Sequence, residues 1–328
     1  MNPTLKQYAL ELLPPFLVRL IRPLHLKLRA QGLITDSLTV ISTPDELEAW
    51  ITRADAAGQN SDDALRSVLE SFRYRISVEL PHDPFSPAYA AGQWNLYRQV
   101  SGRPGYIAEQ NEQSSFDFDA LVQRPFPYST LSCETVGNHL VMQGMVIEHL
   151  GLHPHSEVLE FGPGSGGLTL QLAMMGHQVT AVEISPHFTE LIRRRAQQLG
   201  LAVTPVCDNM LRFESGKAYD AVVFFESFHH CAEHFEMLKR LHRFVKEDGV
   251  VVFGFEPIAP TAEFWWGSYP WGIRLDGMSV WSMRKFGWLE LGFTDGYFLK
   301  ALNRSGWQGT LTRFDTRGWT PIVVARKR

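Results

Sequence analysis

A doubly wound α/β sheet, mostly parallel, is the fold class this chain predicts, on three observations. An apolar segment at 157–161 runs into a glycine-rich turn, EFGPGSGG (160–167), and a helical pattern begins at Leu168. Five apolar segments alternate with helical ones between residues 157 and 257. The fourth, YDAVVFFES (219–227), is almost continuously apolar, as a strand covered on both faces must be. Strands joined by helices pack as a parallel sheet with right-handed crossovers, and ligands meet such sheets at the carboxyl ends of the strands.

The elements follow in order. Residues 1–115 read as a helical, loop-rich region distinct from a main domain at 116–328. Residues 10–31 mix Leu, Ile, Val and Phe with Arg19, Arg22, Lys27 and Arg29. This amphipathic cationic segment suits either a packed helix or peripheral contact with an anionic membrane face. Thr43 with Glu46 three positions on is a capping box opening a helix at 43–54, and a second helix is expected at 62–77. Residues 81–130, dense in Pro, Gly and aromatics, read as an irregular connector, and 133–152 as a helix closed by Gly151. Strands at 157–161, 179–185, 202–209, 219–227 and 248–257 alternate with helices at 167–175, 186–200 and 232–246. Pro186 starts the second of these helices and Gly200 ends it. An aromatic-rich insert at 258–295 interrupts the pattern before a final helix and two closing strands.

Composition narrows the function classes. The 328 residues are 45% hydrophobic and 20% charged, with a net charge of −4, so no polyanion-binding surface and no nucleic-acid partner is expected. Cys133, Cys207 and Cys231 show no CxxC spacing, which fits a reducing cytoplasm better than a disulfide framework or zinc knuckle. No apolar run reaches bilayer length, and Pro14, Pro15, Arg19 and Arg22 break up what a signal peptide would need.

Gly162, Gly164 and Gly167 satisfy GxGxxG, with the acid Glu183 about twenty residues on. Taken alone, that pattern fits a dinucleotide. The surroundings fit another ligand: Glu160, Glu183 and Asp208 put three carboxylates around the turn, which repels phosphates and tolerates a cation. EFGPGSG, the acid closing strand two, the acid after strand three, YDAVVFFESFHH and KEDGVVVF stand in the order and spacing of the class I S-adenosylmethionine-dependent methyltransferases, which this chain resembles over about residues 125–257. The resemblance implies a Rossmann-like seven-stranded sheet whose last strand is antiparallel, with S-adenosylmethionine as cofactor. It implies that Gly162, Pro163, Gly164, Ser165 and Gly166 approach the cofactor's amino-acid portion, and that Glu160 receives its ammonium. Glu183, with Ile184 beside it, would hold the ribose hydroxyls, Asp208, Asn209 and Met210 would hold the adenine, and Tyr128 in RPFPYST would close over the methionine end.

The acceptor side is expected just past strand four, in ESFHHCAEH (226–234). His229 or His230 is placed to act as general base on a hydroxyl, with Glu226 orienting an imidazole. His230 and His234 share helical spacing, but no third ligand follows at metal-site spacing, so no metal is expected. The insert carries Trp265, Trp266, Tyr269, Trp271, Trp281 and Trp288 among Arg274, Asp276, Arg284 and Glu290, a mixture that suits a saccharide. The leading expectation is O-methylation of a saccharide or glycan, of the kind associated with bacterial surface-polysaccharide biosynthesis at the inner face of the membrane. O- or N-methylation of a small natural product is the second. An NAD-binding oxidoreductase and a non-catalytic glycan-binding protein are more distant.

Overall fold

The computed structural model describes residues 38–76, 78–113, 118–123, 133–260, 269–314 and 321–328. Segment 10–31, Tyr128 with its RPFPYST neighbours, Trp265 and Trp266 lie outside the described residues.

The expected sheet is present with seven strands. In chain order they are β3 (Glu157–Phe161), β4 (Gln178–Glu183), β5 (Val203–Cys207), β6 (Tyr219–Phe225), β7 (Val245–Gly254), β11 (Trp307–Thr312) and β12 (Ile322–Lys327). In space they lie β11-β12-β7-β6-β3-β4-β5. β3 to β7 are mutually parallel, and β12 runs antiparallel to both β7 and β11. β3 pairs with β4 on one side and β6 on the other, so the winding reverses at the end of β3. The glycine turn leaves the sheet there.

The flanking helices follow their sequence signals. Helix α6 (Cys133–Leu150) is followed by Gly151 at φ 58°. Helix α7 (Gly167–Met174) opens at the glycine turn. Helix α8 (Pro186–Leu199) is capped by Ser185, whose hydroxyl accepts from the Phe188 amide, and ends on left-handed Gly200. The expected helix at 232–246 is shorter: α9 (His234–Arg240) passes into a 3₁₀ turn at Leu241–Arg243, and β7 already begins at Val245.

The N-terminal region departs from expectation twice. After β1 (Thr39–Ile41), helix α1 (Pro44–Gly58) has its capping box, with Thr43 accepting from the Glu46 amide and Glu46 from the Thr43 amide at 3.0 Å. Helix α2 stops at Glu70 (Asp62–Glu70), and Phe72–Tyr74 form a strand, β2, parallel to β1. Phe72 and Tyr74 are both buried on one face, a period of two that ends the helical pattern there. The supposed connector contains a fifteen-residue helix, α3 (Pro87–Ser101), with Ser86 as N-cap, Pro87 at its start and Gly102 at φ 69° behind it. Two shorter helices follow, α4 (Ala108–Asn111) and α5 (Phe118–Gln123).

The insert is folded too. β8 (Ile258–Ala259), β9 (Trp271–Ile273) and β10 (Leu291–Thr294) make a three-stranded sheet in the order β8-β10-β9, with helix α10 (Gly277–Lys285) between β9 and β10. It is bonded to the N-terminal region throughout. Tyr89 donates from its hydroxyl to the Trp271 carbonyl (2.7 Å), the Ile273 amide donates to Gln93 Oε1 (3.0 Å), and Tyr97 donates to the Gly287 carbonyl (2.6 Å). Trp271 Nε1 donates to the Pro84 carbonyl and Trp281 Nε1 to Asp55 Oδ1, each at 2.8 Å. Helix α11 (Asp295–Arg304) then leads back to β11.

Candidate active site

A cavity of about 650 Å³ opens at the carboxyl ends of β3 to β6. Its floor is the glycine turn. Gly162 adopts φ 66°, and a Cβ there would lie 2.7 Å from Cβ of Ser227, so only glycine lets the ends of β3 and β6 meet. Ser227 seals that junction by donating its hydroxyl to the Phe161 carbonyl at 2.7 Å. Arg195 of α8, buried to 3% exposure, clamps the turn from beneath by donating to the Ser165 carbonyl (2.8 Å) and the Leu121 carbonyl.

Most of the anticipated cofactor residues line this cavity: Gly162, Pro163, Gly164, Ser165, Glu183, Ile184, Asp208, Asn209 and Met210. Glu183 ends β4 with its carboxylate aimed by two backbone amides, Gly164 onto Oε2 at 3.0 Å and Ser185 onto Oε1 at 2.8 Å. Each oxygen keeps a lone pair for a further donor. Burial pushes the Glu183 pKa up to about 7 against those two amides. Past β5, the Asn209 amide donates to Asp208 Oδ1 (2.7 Å) and Asn209 Oδ1 accepts from the Leu211 amide (2.9 Å), a local turn that presents Asp208 and Met210 to the cavity. Asn209 Nδ2 donates to Glu109 of α4 at 2.9 Å, which ties the N-terminal region to this rim.

Two of the expected cofactor residues do other work. Glu160 is 1% exposed and does not line the cavity; its Oε2 accepts the Thr169 hydroxyl of α7, because a side chain in the middle of the sheet's helix-covered face meets the helix before it can reach the loop. Gly166, at φ 80°, is required because a Cβ would sit 2.6 Å from Ile192 of α8, which is a packing constraint.

The acceptor end is built around the short 3₁₀ turn Phe228–His230. Glu226 stands at φ 51° where β6 ends, a left-handed conformation that costs about 1 kcal/mol and turns the chain sharply over the cavity. The turn is held by Glu256, which is fully buried. Its Oε1 accepts the amides of Ser227 (2.9 Å) and Phe228 (2.8 Å), and its Oε2 accepts the His229 amide (3.1 Å) and Nδ1–H (2.8 Å). Orientation of an imidazole therefore belongs to Glu256. Glu226 faces His139 of α6 instead, at 3.8 Å. Burial lowers the His229 pKa, but the Glu256 hydrogen bond and the charges of Glu256 and Glu290 outweigh it, and the net direction is upward.

His229 is behind the cavity wall and His230 is part of it. His230 Nδ1 lies 2.6 Å from the Leu289 carbonyl, which can only accept, so Nδ1 carries the proton and Nε2 a lone pair. Burial and the neighbouring His229 hold the His230 pKa well below the usual histidine range. His234 does not join the pair: its Nε2 meets the Tyr297 hydroxyl at 2.7 Å, and burial lowers its pKa to about 3. Of the insert's described tryptophans, Trp288 reaches the cavity, stacked on Phe286 with ring centroids 4.7 Å apart. Trp271 and Trp281 are spent on the bonds to the N-terminal region. Arg274 pairs with Asp276 (3.0 Å) and Glu290 (3.4 Å).

The N-terminal region also supplies cavity residues that no sequence signal marked. Tyr106 and Glu112 line it, the Tyr106 hydroxyl donating to Glu112 Oε1 at 3.0 Å. Burial pushes the Glu112 pKa up to about 8. His139 and Gln143 of α6 complete the wall.

Residues 158–249 match the family model described as a methyltransferase domain. This part of the chain is similar to methyltransferase domains. The cofactor is S-adenosylmethionine, and the Glu183 and Asp208 carboxylates that line the cavity beside the glycine turn fit that cation. The chain is similar over 74 residues, at 32% identity, to the mitochondrial ribosomal RNA small subunit methyltransferase of Arabidopsis thaliana, covering 21% of this chain and 20% of that one. It is 26% identical over 111 residues to a putative methyltransferase of Geobacillus sp. (strain WCH70), covering 33% and 45%. The matches thus span less than half the length of these curated relatives. Among solved structures, the complex between the Haloferax volcanii Trm112 methyltransferase activator and the putative methyltransferase aligns at 12% identity and a TM-score of 0.48, covering 65% of this chain and 99% of that one. No helix among the described residues is long and apolar enough to cross a membrane.

Proposed function

We propose that this protein transfers the methyl group of S-adenosylmethionine to a hydroxyl of a saccharide or similar small molecule. The observation that carries the reading is the continuity of the cavity. One space runs from Glu183 and Asp208, which suit a nucleoside, to His230, Glu112 and Trp288, which suit a hydroxylated acceptor. Its volume is in the range of sites that enclose small ligands. When bound, the cofactor would supply a methyl carbon on a sulfonium; the acceptor oxygen bonds to that carbon, the carbon–sulfur electron pair returns to sulfur, and the hydroxyl proton passes to Nε2 of His230. Positioning is the main task of such a displacement. Glu183 and Asp208 fix the nucleoside, the glycine turn leaves room for the amino-acid end, and the Glu256-braced turn sets the acceptor oxygen beside His230. Trp288, backed by the stacked Phe286 ring, would offer an apolar aromatic surface for a sugar ring. Residues 10–31 would bring the enzyme to a membrane face if the acceptor is lipid-linked, and liposome co-sedimentation with and without residues 1–31 tests that part.

Two results are expected. S-adenosylmethionine and S-adenosylhomocysteine each raise the melting temperature and NAD does not, by mass action on the folded state; stabilisation by NAD alone overturns the reading. His230→Ala lowers turnover of radiolabelled methyl into saccharide pools by at least about 100-fold, within the range for loss of one acid–base or activating group, and leaves cofactor affinity within about twofold. Full activity in that variant removes His230 from the reaction.

A further inference from the structure

We propose that His229, His230 and Glu290 form a binding site for one divalent first-row transition-metal ion beside the acceptor end of the cavity, where His230 lines the wall and His229 and Glu290 stand behind it. One ligand atom from each of the three lies within 4.8 Å of the others, and His229 Nε2 is 3.9 Å from Glu290 Oε2. Binding draws such atoms inward by about 1 Å, since bonds to nitrogen and carboxylate oxygen are about 2.0–2.2 Å.

Proximity alone would be a weak argument. The hydrogen bonds behind the histidines strengthen it. Metal-bound histidines are held by a carboxylate or backbone carbonyl on the other ring nitrogen, which sets the tautomer and aims the lone pair. Both partners are present here, one on each histidine. Glu256 holds Nδ1–H of His229 at 2.8 Å, and the Leu289 carbonyl holds Nδ1–H of His230 at 2.6 Å. Both rings therefore present Nε2 as a donor, and the rings lie side by side with centroids 4.1 Å apart.

Charge points the same way. Glu112, Glu256 and Glu290 surround the pair, with Glu112 Oε2 3.6 Å from His230 Nδ1, while the facing guanidinium, Arg274, is paired with Asp276 at 3.0 Å and more loosely with Glu290 Oε2 at 3.4 Å, a contact the ion would displace. Three buried carboxyl groups face one guanidinium here, which leaves room for a cation once both imidazoles are deprotonated, as metal ligands are. Two imidazoles and one carboxylate favour zinc, iron, manganese or cobalt over calcium or magnesium. The third donor comes from Glu290, sixty residues beyond the histidines, so spacing in the chain could not show it.

For the role of this ion the inference rests on the O-methylation reading. An acceptor hydroxyl taking an open coordination position would be acidified, its proton leaving to water as its oxygen bonds to the methyl carbon. His230 would then be a ligand, and the ion would activate the hydroxyl.

The test is binding, measured on the full chain after EDTA treatment and dialysis. Titration with Co²⁺ should show one equivalent per chain, with visible d–d absorption. Glu290→Gln and His229→Ala should each weaken binding at least about 100-fold while the affinity for S-adenosylmethionine is kept. No stoichiometric Co²⁺ uptake by the wild type, or unchanged uptake in Glu290→Gln, overturns the site. If His229→Ala misfolds by circular dichroism, the near-isosteric Glu290→Gln decides alone. Failure of the wild type to bind S-adenosylmethionine would sink the functional reading and leave the Co²⁺ result standing.

Discussion

Glu256→Ala is expected to destabilise the protein by about 3–5 kcal/mol, the cost of breaking a buried charged hydrogen-bond network from one side. Four donors converge on this carboxylate: the amides of Ser227, Phe228 and His229, and the His229 ring. Glu256 has no solvent exposure, so water does not replace the lost acceptor without opening the end of β7. The substitution also leaves a cavity the size of the lost side chain. Glu256→Gln keeps the volume but turns an NH₂ toward donors, and should recover only part of the loss. Urea unfolding followed by circular dichroism measures the effect, and a shift below about 1 kcal/mol for the alanine variant would show that the Phe228–His230 turn does not depend on this residue.

The second large effect concerns the cofactor. Glu183→Ala should weaken S-adenosylmethionine binding by about 100- to 1,000-fold, the equivalent of two hydrogen bonds to a charged acceptor. A pH signature accompanies it. Burial raises the Glu183 carboxyl to about 7 in the cofactor-free protein. The ionised form is the one that accepts two hydroxyls and attracts a cation. Affinity should therefore fall about tenfold per unit as pH drops below 7, and be nearly flat above 8. Calorimetric titration from pH 5.5 to 8.5 reads this directly, and Glu183→Gln should flatten the profile. A wild-type profile that is flat, or falls toward high pH, rejects the assignment. Stability of the cofactor-free protein runs the other way. Glu160 and Glu183 both have folded-state values of about 7, above the ordinary 4.5, and burial is the cause in each. Their contribution is full below about pH 4.5 and is lost as pH rises through 7, so the melting temperature without cofactor should decline between pH 5.5 and 8.

These two residues show how unevenly the site is written in the chain. Glu183 is legible because it stands where a regular strand ends, a fixed interval from a glycine turn, and a parallel sheet brings all such ends to one edge. Glu256 stands at an equivalent strand end, but its partners are backbone amides of a 3₁₀ turn that no periodicity announces. Glu160 has a similar sequence context, yet it pairs level with Ala181, two positions short of Glu183, and there it meets Thr169. Helix α3 carries its signals in the chain, since Ser86-Pro87 opens it, Gly102 closes it, and Tyr89, Gln93, Leu96 and Val100 keep a helical period, but the surrounding prolines, glycines and aromatics mask them.

By itself, then, the chain determined the seven-stranded sheet, the crossover helices, the glycine turn and the acids at the strand ends. Those features rest on local propensity and short-range pattern, which act between neighbours in sequence. Only the tertiary structure decided the rest. The insert folds onto helix α3 instead of standing free over the site, Trp271 and Trp281 are bonded to the N-terminal region, and Glu112, Glu256 and Glu290 gather around the histidine pair. Those contacts join residues far apart in the chain, and their geometry depends on how layers pack, which no spacing along one strand or helix encodes.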